Sequence, residues 1–132
     1  MFIPDPIADL CTRIRNTTMR HYPTVSIPHS KIKERIVEVL QKEGFIEKWS
    51  LKEEKPQSRI VVYLKYNESG GSVIRTINRI SKSGCRVHLK VSEIKPILGG
   101  QGIAIVTTSK GVLSDRECRE QNTGGEVLCH VW

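Results

Sequence analysis

The chain has 132 residues, 38% of them hydrophobic, which suits one compact domain or two small ones with a modest core. Lysine and arginine number 21 against 14 acids, a formal charge of +7, and such a balance in a small chain points to a polyanion partner, most often nucleic acid. No apolar run nears the roughly 18 residues of a membrane span, and the opening "MFIPDPIADL" lacks the basic start of a signal peptide, so a soluble protein with no membrane partner, kept where it is made, is expected.

In chain order, "DPIADLCTRIRN" predicts a helix. Asp5 can cap it and Pro6 takes the first helical position. Ile7, Leu10, Cys11 and Ile14 recur at helical spacing as one buried stripe. Arg13, Arg15 and Asn16 fall outside it, as a solvated face or as a basic edge for a polyanion. "TVSIP" is a short strand. "SKIKERIVEVLQKEG" is a second helix with Ile32, Ile36, Val37, Val39 and Leu40 toward the core and Gly44 as its stop. "FIEKWSL" and "RIVVYLKY" are strands joined by a charged turn. Residues 1–66 therefore read as an α-β-α-β-β domain, and the polar, glycine-rich 67–72 as a linker loop.

Residues 73–132 read as a second, mainly β domain. Six basic residues and a single acid lie between Arg75 and Lys95. "INRISKSGCRVHLK" predicts a hairpin turning at Ser83 and Gly84. Alternation puts Arg86, His88 and Lys90 on one face and Val87, Leu89 and Val91 on the other. That cationic row is either a solvated face or one suited to backbone phosphates and stacking. "GIAIV" is a short buried strand, and Ser114 with Glu117 forms a capping box for a short helix ended by "NTGG". "EVLCHVW" closes the chain as a strand, with Val127, Cys129 and Val131 alternating against Leu128, His130 and Trp132. The fold class is thus α+β, in two small α/β domains.

Enzyme signals are weak. Cys11, Cys85, Cys118 and Cys129 have no metal-ligand spacing, so no metal, disulfide or cofactor is expected. Ser92 and Lys95 have Ser-x-x-Lys spacing, but they lie in a charged connection before Pro96. Gly99-Gly100-Gln101 matches the hydrolytic tripeptide of release factors and is better read as a turn. Asp115, Glu117 and Glu120 form no catalytic pair; a helix start favours them anyway. What remains is "TTSKG": Thr107, Thr108, Ser109, Lys110 and Gly111. Its hydroxyls and amides suit phosphates, riboses and base edges, and a shaped RNA more than regular DNA. It is otherwise a Ser/Thr turn leading into the helix.

"DPIADLCTRIRN", "LQKEGFIE", "ISKSGCRV", "GQGIAIVTTSKGVLSDRE" and "GGEVLCHVW" run in order along nearly the whole chain, which resembles the bacterial-type small-subunit ribosomal protein eight family. The resemblance implies two closely packed domains and no catalysis. It implies binding to an irregular stem in the central domain of small-subunit ribosomal RNA, early in assembly, in the cytoplasmic or an organellar ribosome. It implies that Thr107 to Gly111 are the main grip, that Gly124, Gly125 and Glu126 support that surface, and that Asp5, Thr12, Arg15 and Asn16 reach RNA. It implies neighbouring small-subunit proteins as partners and, in some bacteria, a stem in the messenger of its own operon. Thr107, Ser83, Cys85, His88 and His130 depart from the usual family residues, which leaves the stacking contribution open. A basic protein–protein adaptor in a large assembly, touching RNA only incidentally, is the alternative.

Overall fold

A computed structural model describes residues 5–132, which divide into two compact units, the first ending at Arg75 and the second running from Thr76 to Trp132. In the first unit, helix α1 (Pro6–Met19) starts where Asp5 accepts from the amides of Ile7 and Ala8, both at 3.1 Å. Its predicted stripe is buried, extended by Thr18. Strand β1 (Thr24–Pro28) follows, then α2 (Lys31–Lys42), capped by the Ser30 hydroxyl. Strands β2 (Ile46–Lys52) and β3 (Arg59–Leu64) complete an antiparallel sheet in the order β1-β3-β2. Ile27, Ile36, Leu40, Ile60 and Val62 are wholly buried between this sheet and the helices.

The core face of α2 includes a residue that periodicity assigned to solvent. Lys33 is buried, while Ile32 is only half-buried. The Lys33 ammonium donates to the Pro28 carbonyl at 3.0 Å, so its long stem lies in the core and its tip finds an acceptor. Burial pushes its pKa down, opposed by the charge of Asp9. Residues 67–71 form a closed turn, in which the Asn67 amide donates to the Gly71 carbonyl at 2.8 Å and the Gly71 amide to the Asn67 side chain at 2.9 Å.

The second unit is one antiparallel sheet with a helix. Its strands are β4 (Ile77–Arg79), β5 (His88–Leu89), β6 (Ile103–Thr108), β7 (Gly111–Ser114) and β8 (Gly125–Val131). The order is β4-β8-β6-β7, and β5 also pairs with β8. Helix α3 (Asp115–Gln121) carries the predicted capping box of Ser114 and Glu117 and ends at Asn122 in the left-handed region. Residues 103–106 are all buried, as a strand covered on both faces requires.

Three expectations change here. The arms of the 77–90 hairpin do not pair with each other over their length. The tight turn at Ser83 and Gly84 exists, closed by Lys82 and Cys85, but β4 and β5 both run along β8 in one direction. Residues 82–86 are thus a loop thrown out from one edge. β8 lacks simple alternation, because Ile105 pairs with Cys129 while Val106 pairs with Val127. Leu128 is the extra residue of a bulge, is buried, and reverses the side-chain parity beyond it. Finally, β7 stands where a helix lead-in was read.

Candidate nucleic-acid interface

"TTSKG" is the tip of the β6–β7 hairpin. Thr107 and Thr108 end β6, Ser109 and Lys110 make the turn, and Gly111 begins β7 opposite Thr108. Gly111 has φ of +111°, which closes so short a turn and which L side chains rarely adopt. The Thr108 hydroxyl accepts from the Lys110 amide at 3.0 Å and donates to the Gly111 carbonyl at 2.8 Å. It is therefore a structural staple of the turn. The Lys110 ammonium donates to the Gln121 carbonyl at 3.3 Å, near the negative end of α3. Ser109 is exposed at the tip, and Thr107 is half-exposed beside it.

The tip is built against Gly124, Gly125 and Glu126. A Cβ on Gly125 would lie 2.1 Å from the Thr107 carbonyl oxygen, and one on Gly124 would lie 2.4 Å from that of Leu89. Only glycine lets β8 enter between β5 and β6 this closely. Glu126 then pairs with His88 on one side and Thr107 on the other. Directly paired residues share a face, so His88, Glu126 and Thr107 form one row across three strands. Arg86 joins it, its Nη1 donating to Glu126 Oε2 at 3.0 Å. Val87 and Leu89 pack inward against the cluster of Ile94, Ala104, Val106 and Val127, as alternation predicted. Lys82 and Lys90 are exposed near the same edge, whereas Arg79 is turned to the sheet and donates to the Leu128 carbonyl at 2.9 Å.

Glu126 is the acid of this row and lies beside the cation of Arg86. The Ser81 hydroxyl donates to its carboxylate, and that bond, with Arg86 beside it, holds its pKa below the usual carboxylate range against the opposing effect of burial. A carboxyl depressed in the folded state stabilises the fold fully above its unfolded value of about 4.3 and loses that contribution as pH falls through the folded value. Thermal melts between pH 6 and pH 3 should therefore fall more steeply for the native chain than for Glu126→Gln. Parallel profiles would show that the carboxylate contributes nothing.

The first unit carries the other predicted residues. Thr12, Arg15 and Asn16 stand three and four positions apart on α1 and share a face. Thr12 and Asn16 are exposed, and Arg15 is half-exposed. Asp5 is the cap of the helix, which accounts for it without a ligand. The two groups belong to different units. Ser81 was missed by sequence reading, because the carboxylate it meets lies on another strand. Among the described residues, no group of three or more His, Cys, Asp or Glu is placed to hold a metal. No described helix is long and apolar enough to cross a membrane.

The fold is α+β, with a stapled hairpin tip and an Arg86 paired to Glu126 in its second unit. The family model described as ribosomal protein S8 matches residues 5–132. Small ribosomal subunit protein uS8 of Halothermothrix orenii is 47% identical over 132 residues, all of both chains. Those of Dictyoglomus turgidum and Roseiflexus castenholzii are 48% and 46% identical with the same full coverage. The chain belongs to the ribosomal protein S8 family. It is accordingly a structural ribosomal protein, not an enzyme.

Proposed function

We propose that the chain works in the small subunit of a bacterial, cytoplasmic ribosome, as its relatives' names and sources suggest. There it binds an irregular stem in the central domain of small-subunit ribosomal RNA and helps that domain assemble. The observation that carries this reading is the row of His88, Glu126 and Thr107 across three strands, with Arg86 on Glu126 and the Ser109 turn following Thr107. Hydroxyls and amides held rigid read shape and 2′-hydroxyls, and the cations supply affinity. Thr12, Arg15 and Asn16 are a second contact on α1, and Asp5 serves them by starting the helix. Neighbouring small-subunit proteins share the assembly. A similar stem in the messenger of its own operon would be bound by the same surface.

The test is a salt titration of binding to the central-domain stem and to a regular duplex of equal length. Tight binding to the stem alone supports the reading. Shallow salt dependence without stem preference would instead favour the adaptor. Ser109→Ala is expected to weaken stem binding by about 1–2 kcal/mol with the salt slope unchanged, as for one lost hydrogen bond. Lys110→Ala should lower the slope by about one charge. Native affinity in both variants would rule out the hairpin tip as the grip.

A further inference from the structure

Ser81 is wholly buried, an unusual place for a serine. Its hydroxyl accepts from the Val87 amide at 3.1 Å and donates to the Glu126 carboxylate. The same carboxylate oxygen accepts from Arg86 at 3.0 Å. Between Ser81 and Val87 the chain leaves the sheet, turns at Ser83 and Gly84, and returns. The Ser81 amide and the Val87 carbonyl both bond to Val127 of β8, at 3.1 and 2.9 Å. Ser81 therefore closes the neck of this loop from inside. One side chain ties the outgoing strand, the returning strand and β8 together.

The consequence falls on Arg86. A free arginine loses much rotamer freedom when it meets a phosphate. Here Glu126 holds the guanidinium beforehand through one of its five N–H groups, and the side chain stays 56% exposed. The carboxylate is itself held in place by the buried hydroxyl, where a charge-assisted bond is strong. We propose that Ser81 is a positioning residue for RNA binding, which acts through Glu126 and the Val87 amide to hold Arg86 and the 82–86 loop in their binding orientation. This rests on the RNA-binding reading of the same surface.

The experiment is a double-mutant cycle on the full chain with the central-domain stem RNA. It compares native protein, Ser81→Ala, Arg86→Ala and the double variant, and melts each free protein. Ser81→Ala should weaken binding about tenfold through lost preorganisation. The double variant should bind no more weakly than the weaker single variant. The uncharged change at Ser81 should also lower the salt slope by about one, as though Arg86 had been removed. Mere loss of stability would not move that slope. Native affinity in Ser81→Ala, or additive losses at an unchanged slope, would overturn the proposal. If Ser81→Ala fails to fold, Glu126→Gln keeps the side-chain volume and must show the same coupling to Arg86. Equal native binding to stem and duplex would sink the stem reading alone, because the cycle can be run on either RNA. No RNA binding by the native chain would overturn both.

Discussion

Gly125→Ala is expected to cost at least about 4 kcal/mol of folding stability, the range of severe backbone clashes. The new Cβ would meet the Thr107 carbonyl oxygen at 2.1 Å and the Thr108 Cα at 3.2 Å, both backbone atoms of the neighbouring strand. Neither can rotate away. Relief requires β8 to part from β6 beside the hairpin tip, and the row of His88, Glu126 and Thr107 parts with it. Denaturant unfolding measures the loss. Gly111→Ala is the control. A Cβ there meets open space, so only its left-handed backbone is strained, for about 1–2 kcal/mol. Equal losses at the two positions would show that conformation, not close approach, explains Gly125.

Asp115→Ala should rank next, at about 3 kcal/mol, most of it the cost of leaving a buried amide without its acceptor and the rest the loss of a partly exposed ion pair. The Asp115 carboxylate is almost wholly buried. It accepts from the Ala104 amide at 3.1 Å and from Arg119 at 2.8 Å. Helical position alone suggested a residue placed by the dipole. The structure makes it the bolt between α3 and β6, directly behind the hairpin. Removing it leaves the Ala104 amide buried without its acceptor. Asp115→Asn keeps an oxygen for that amide and loses only the charge toward Arg119, so it should cost clearly less. A loss of the same size in both variants would mean that the ion pair, not the amide bond, holds the helix.

Much was legible because it is local. Asp5 with Pro6, and Ser114 with Glu117, start helices through side chains a few residues away. Burial of Ile7, Leu10, Cys11 and Ile14 follows from a 3.6-residue period, and that of Ile60, Val62 and Leu64 from a period of two. The turn at "TTSKG" was also readable from its small polar residues and glycine, and in the structure Thr108 and Lys110 bond within the unit.

Fold class, most of the elements, the basic charge balance and the family resemblance can be read along the chain. Each depends on composition, short-range spacing or ordered motifs. Which strands meet cannot be read that way. Strand pairing joins residues far apart in the chain, and a one-residue slip reverses every face. So the bulge at Leu128, the shared partnership of β4 and β5 with β8, and the strand β7 were not visible beforehand. The same reason hid Ser81. Its meaning lies in Glu126, 45 positions away, and no local pattern links a buried hydroxyl to a carboxylate on another strand.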